Sequence, residues 1–194
     1  MKNKHVLILG GSSDIGIEVV KNFLNLGWKV TAHCFKNKKK LANLRKRSKN
    51  LDIIKLDFSN YINSNIEKIL KKKFSKNYSS IVNLIGYVDN KNFENTNLKS
   101  ILRSISTNAI IPILIEKMLL KKMLSQHWGR ILNCSSIGVK FGGGVNTYNY
   151  SLSKHCLEFI PSRYKVWAKK NVFINNLRIG VTNTKIHKKM KRKS

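Results

Sequence analysis

Residues 6–34 read VLILGGSSDIGIEVVKNFLNLGWKVTAHC, and this stretch decides the fold. Val6-Leu-Ile-Leu9 is a short apolar run of the kind buried on both faces of a parallel sheet. Gly10-Gly-Ser-Ser-Asp-Ile-Gly16 follows at once, and Ile17 to Leu26 then carries apolar residues at helical spacing. Gly27 stops that helix, and Trp28-Lys-Val-Thr-Ala-His-Cys34 reads as a second strand. Strand, glycine turn, helix, strand is the opening of a dinucleotide-binding unit. Glycines there permit a tight turn and let the backbone approach a pyrophosphate at the helix N-terminus. A merely structural turn between strand and helix is the blander alternative.

Outward from this stretch the alternation continues. Leu51 to Leu56 reads as a third strand with Asp57-Phe58 as its exit, and Ile62 to Phe74 as an amphipathic helix. Ser80 to Gly86 reads as a fourth strand, and Leu98 to Met123 as a helix that Pro112 can bend. Gly129 to Ser136 makes a fifth strand, followed by the Gly142-Gly-Gly144 loop. A helix from Tyr150 towards Trp167, disturbed by Pro161, leads to a sixth strand, Val172 to Arg178. The pattern predicts an α/β fold, a doubly wound parallel sheet in one domain over residues 1–184, with a basic tail over 185–194.

Composition narrows the function classes. No apolar run approaches a membrane span; the longest candidate, Ala109 to Ile115, contains Pro112. The opening apolar run is only Val6 to Leu9, too short for a secretory signal. Cys34, Cys134 and Cys156 are widely spaced, so no metal site is expected, and reduced thiols point to the cytoplasm. The charge is the oddity: 38 Lys and Arg against nine acids give +29. Such a field attracts nucleic acid or anionic lipid without specificity. A Lys/Asn/Ile-rich bias spread over exposed helix faces is the preferred reading. No recognition helix, zinc spacing or aromatic platform supports a specific nucleic-acid partner.

Two further stretches carry chemistry. After the second strand, His33, Cys34 and Phe35 are followed by Lys36-Asn-Lys-Lys-Lys40, with no acid between Glu18 and Asp52. An acid there suits the ribose of NAD, whereas cations suit a 2′-phosphate, so NADP(H) is expected in preference to NAD(H). Residues 136–154, SIGVKFGGGVNTYNYSLSK, place Tyr150 and Lys154 one helical turn apart behind a glycine loop that can return Ser136 to the phenol. A cation beside a phenol favours the phenolate, which would ease proton exchange near neutral pH. Tyr148 lacks a Lys four residues on, and Ser135 should face the opposite side of its strand from Ser136. Asn108, on residue physics alone, is an unremarkable helical Asn.

Taken together these residues resemble the short-chain dehydrogenase/reductase family over nearly the whole chain. Its TGxxxGxG turn matches Leu9-Gly10-Gly11-Ser12-Ser13-Asp14-Ile15-Gly16, with Leu9 and Asp14 as departures. Its adenine-contacting Asp matches Asp57, beside Phe58, and its NNAG strand end matches Asn83-Leu84-Ile85-Gly86. Its helix Asn matches Asn108, its Ser matches Ser136, and its YxxxK matches Tyr150 and Lys154. Its closing loop matches Ile179-Gly180, without the Pro, followed by Thr184.

The resemblance implies an NADP(H)-dependent oxidoreductase of the 3-oxoacyl or sugar-modifying kind, acting on a small carbonyl or alcohol. Tyr150 would donate the proton, Ser136 would hydrogen-bond the same oxygen, Lys154 would lower the Tyr pKa, and Asn108 would anchor a water leading to Lys154. Gly10, Ser12, Ser13, Asp14, Ile15, Gly16, Lys36, Asp57, Phe58, Asn83, Gly86, Tyr150, Lys154 and Thr184 would hold the cofactor. Family members run on for several dozen residues beyond the Thr184 position, through a lid, a helix used in subunit contacts and a last strand. The expectation is therefore a chain cut short, with lid and last strand missing and a homo-oligomer possible. The alternatives are an inactive remnant that still binds dinucleotide, and a basic nucleic-acid-binding protein.

Overall fold

The computed structural model describes residues 4–59 and 65–184. The start of the helix expected from Ile62 and the basic tail over 185–194 lie outside the described residues. Six strands form one wholly parallel sheet: β1 (His5–Leu9), β2 (Lys29–Cys34), β3 (Leu51–Lys55), β4 (Ser80–Asn83), β5 (Gly129–Ser136) and β6 (Val172–Ile179). Their spatial order is β3-β2-β1-β4-β5-β6, that of a doubly wound Rossmann sheet. The order reverses between β1 and β4, where such sheets hold ligands beyond the strand ends.

Helices cover the two faces, which explains why β1 is buried along its whole length. On one face α1 (Asp14–Asn25) and α2 (Lys39–Arg47) bury Ile17, Val20 and Leu41 against Val6, Ile8, Val30 and Ala32. On the other, α3 (Ile66–Lys73) and α5 (Ile111–Ser125) bury Leu70, Ile111, Ile115 and Met123 against Leu7, Leu9, Ile81 and Ile131. Burial of a Leu or Ile side chain contributes about 1.5–3 kcal/mol, so these two clusters carry the stability.

The helix expected over Leu98 to Met123 is three pieces: α4 (Leu98–Ile105), a π segment (Ser106–Ile110) and α5. Pro112 lacks an N–H and cannot donate the α-helical bond to the carbonyl four residues back, which is that of Asn108. The irregularity therefore falls on the turn before the proline rather than at it. By length and composition this 28-residue run, Leu98–Ser125, could cross a membrane, contrary to the expectation of short apolar runs only. Its inner side is instead the core stripe Ile111, Ile115, Leu119 and Met123. A short α6 (Gly138–Phe141), unexpected from the sequence, precedes the glycine loop. The helix expected from Tyr150 to Trp167 begins at Tyr148 and is split at Pro161 into α7 (Tyr148–Leu157) and α8 (Tyr164–Lys169).

Candidate functional site

A cleft of about 510 Å³ opens at the C-terminal edge of the sheet. One end is the glycine turn. Ser13 caps α1, its hydroxyl accepting from the Gly16 N–H at 3.0 Å. Gly10 takes φ +76°, and a Cβ there would sit 2.9 Å from the Leu84 carbonyl, so the turn presses against the end of β4. Ser12, Ser13, Asp14 and Ile15 line the cleft at the positive end of the α1 dipole, where an anion is favoured. This is the cradle a pyrophosphate needs, and the residues present fit a dinucleotide.

The other end holds the phenol. Ser136 closes β5, Tyr150 and Lys154 lie one turn apart on α7, and all three line the cleft. Burial holds the Tyr150 phenol above its ordinary pKa, the facing Ser136 hydroxyl pulling the other way. The Lys154 ammonium lies 5.8 Å from the Tyr150 ring centre and donates to the carbonyls of Ile85 and Cys134, each at 2.7 Å. Burial, the largest cause, lowers the Lys154 pKa to about 8. The site thus presents a protonated phenol beside an ammonium held by the Ile85 and Cys134 carbonyls.

Asn108, which residue physics alone passed over, is fully buried in the π segment. Its side chain accepts from the Tyr87 N–H at 2.7 Å and donates to the Tyr87 carbonyl at 2.9 Å and the Ser153 hydroxyl at 2.8 Å. Ser153 in turn donates to the Tyr150 carbonyl at 2.7 Å. Asn108 therefore clamps the loop after β4 to the helix that carries Tyr150 and Lys154.

Other expected residues divide. Gly86 and Thr184 line the cleft. Lys36 does not: its ammonium lies over the Phe35 ring, while Asn37 and Lys40 line the cleft and Lys40 pairs with Asp14 at 3.2 Å. The basic run was visible in sequence, but which of its members faces the turn depends on where α2 begins. Asp57 is not in the lining and accepts from the Ser59 N–H and hydroxyl at 2.8 Å each. Phe58 is buried, stacked on His33 with ring centres 4.2 Å apart. Asn83 is fully buried between strands. Tyr148 meets Phe93 edge-on and takes no part in the lining. Ile137, Phe141, Ile179 and Val181 give the phenol end apolar walls. Among the described residues, no group of three or more His, Cys, Asp or Glu is placed to hold a metal.

The glycine turn at the switch point of this doubly wound sheet and the Ser136, Tyr150 and Lys154 side chains lie at the same edge, the place where α/β folds of this class hold nucleotides. The short chain dehydrogenase family profile matches residues 4–194, and the chain belongs to that family. It is 33% identical over 125 residues to the 3-oxoacyl-[acyl-carrier-protein] reductase of Aquifex aeolicus, a match spanning 61% of this chain and half the length of that relative. Its fold is similar to a 3-oxoacyl (acyl-carrier-protein) reductase of Agrobacterium tumefaciens solved with NADP bound, with TM-score 0.83, 17% identity and coverage of 98% of this chain and 75% of that one. It is equally similar to 4-hydroxyisoleucine dehydrogenase complexed with NADH, with TM-score 0.83, 21% identity and coverage of 96% and 77%.

Proposed function

We propose that this chain is an NAD(P)-dependent oxidoreductase that interconverts a small carbonyl and its secondary alcohol, with NADP(H) preferred. The observation that carries the reading is the convergence of Ser136, Tyr150 and Lys154 on the cleft whose other end is the α1 N-terminus. The bound nicotinamide supplies the hydride that reaches the carbonyl carbon. As the carbon–oxygen double bond becomes an alkoxide, the Tyr150 hydroxyl gives it a proton and the Ser136 hydroxyl donates a hydrogen bond to the same oxygen. A phenol held protonated by burial suits the reductive direction. Lys154, carried on the same helix, would return a proton to the phenol and would help to hold the dinucleotide's sugar. Asn108 can hold a water on its main-chain carbonyl, which Pro112 leaves without an α-helical donor, since its side chain is fully committed to Tyr87 and Ser153.

Lys40 and Asn37 in the cleft, with no acid at the end of β2, favour a 2′-phosphate. Three free cysteines suit a cytoplasmic setting, and Leu98, Leu102, Ile110 and Ile113, exposed along α4 to α5, suit a homo-oligomer. The test is oxidation of NADPH by a 3-oxoacyl thioester such as acetoacetyl-CoA, and by simpler ketones. Turnover should fall at least ~100-fold in Tyr150→Phe while NADPH fluorescence still reports binding. NADPH bound by the wild type with no carbonyl reduced would instead identify a dinucleotide-binding protein without catalysis. Tighter binding of NADH than NADPH would overturn the cofactor preference.

A further inference from the structure

Below the cleft, on the α5 face of the sheet, runs a chain of buried amides. Asn83 and Asn133 are register partners on β4 and β5, exposed by 0% and 2%. The Asn83 carboxamide N–H donates to the Asn133 oxygen at 2.9 Å, and the Asn83 oxygen accepts from the Ile85 N–H at 3.2 Å. At the far end Asn133 donates to Oε2 of Glu116, on α5, at 3.5 Å. Glu116 is buried inside the apolar stripe of α5, and its Oε1 has no hydrogen-bond partner among the described residues.

The sense of this relay follows from its Ile85 end, because a backbone N–H can only donate; Glu116 then receives the last N–H of the relay on a carboxyl oxygen. The two amides between them fit in one orientation only, because turning either would set N–H against N–H. The two carbonyls that receive the Lys154 ammonium lie next to the relay: Ile85, two residues past the end of β4, whose N–H begins it, and Cys134, next to Asn133 on β5. A carboxyl group is otherwise a poor occupant of this position. Burial pushes its pKa up to about 7, a penalty an apolar side chain would not incur.

We propose that Glu116 is a positioning residue, its carboxyl accepting the last N–H of the Asn133–Asn83 relay and thereby holding in place the Ile85 and Cys134 carbonyls that receive the Lys154 ammonium. The inference rests on the reading of Lys154 as part of the active site. It is tested on the full chain with Glu116→Met, which keeps the volume and removes the acceptor, and Glu116→Gln, which keeps one carbonyl. Exchange of the Ile85 amide, followed by NMR, should quicken about tenfold in Glu116→Met and stay close to wild type in Glu116→Gln. The titration midpoint of Lys154, read in 15N-lysine-labelled protein, should move in the Met variant only. For reduction of acetoacetyl-CoA, kcat should fall about tenfold with KM within about twofold, although melting temperature is unchanged or higher.

Wild-type Ile85 exchange and Lys154 titration in Glu116→Met overturn the proposal, whatever the turnover. If those two signals respond but the wild type reduces no carbonyl, the proposed function fails and the relay stands. Should the Met variant not fold, Asn133→Leu cuts the same relay one link on. Unchanged Ile85 protection in that variant is equally decisive against it.

Discussion

Burial is the largest influence on both Tyr150 and Lys154, and it acts on them in opposite directions, raising the pKa of the phenol and lowering that of the ammonium. The phenol stays protonated because its anion would be desolvated, while burial lowers the ammonium pKa to about 8, against the pull of Cys134 and Glu158, and two carbonyls receive its N–H groups. Lys154, with a pKa of about 8, is thus the group that titrates first on the alkaline side. NADPH affinity and reduction rate should both decline as pH rises through about 8, and Lys154→Met should abolish that limb of the pH–rate profile. Glu116 imposes a different dependence. Its folded pKa of about 7 lies above the ordinary carboxyl value of 4.5, so the folded state holds the extra proton between those values. Stability from this group is therefore full below about pH 4.5 and is lost as pH rises towards 7, by roughly 3 kcal/mol in all. His33, lowered by burial to about 4, works in the opposite sense, gaining stability as pH rises from 4 towards 6.5. Urea unfolding of Glu116→Gln against wild type at pH 5 and pH 8 should show the variant relatively more stable at the higher pH.

At the scale of elements, the glycine turn and the broken α4–α5 helix do most to shape the site. A Cβ on Gly16 would collide with the Gly10 carbonyl and lie 2.8 Å from the Gly11 Cα, both of them main-chain atoms with little freedom to move. Gly16→Ala should destabilise the fold by about 1–3 kcal/mol. It should also weaken NADPH binding at least ~10-fold, because the turn and the start of α1 must separate; denaturant unfolding and a fluorescence titration measure the two effects. The π segment explains why Asn108 was invisible to residue physics. Periodicity shows a helix there, but the significance of Asn108 depends on Tyr87 and Ser153, which lie 21 and 45 residues away in sequence.

For the whole molecule, charge dominates. With 38 cations and nine acids, at least 38 − 9 = 29 cations can have no acid of their own. The four ion pairs among the described residues are all solvent-exposed on the cation side, where such pairs contribute about 0–1 kcal/mol. Self-repulsion should therefore outweigh attraction. Melting temperature should rise between about 20 mM and about 300 mM salt as repulsion is screened, and a fall would show that the ion pairs matter more than the excess. Any binding to DNA should collapse with salt and ignore base sequence.

The sequence by itself determined the doubly wound sheet, because buried parallel strands and the helices between them leave local signatures in apolar runs, glycine turns and helical spacing. It also singled out Ser136, Tyr150 and Lys154, whose types and spacing are local and which line one cleft. Tertiary structure alone decided what each faces. Lys40 and Asn37 rather than Lys36 reach the cleft, Phe58 stacks on His33 in the core, and Asn83 serves the sheet from inside it. Lys154 donates to the carbonyls of Ile85 and Cys134, and Glu116 reaches Asn133 beneath them. Each of these outcomes depends on partners distant along the chain, and a side chain's direction is set by packing that no single stretch of sequence contains.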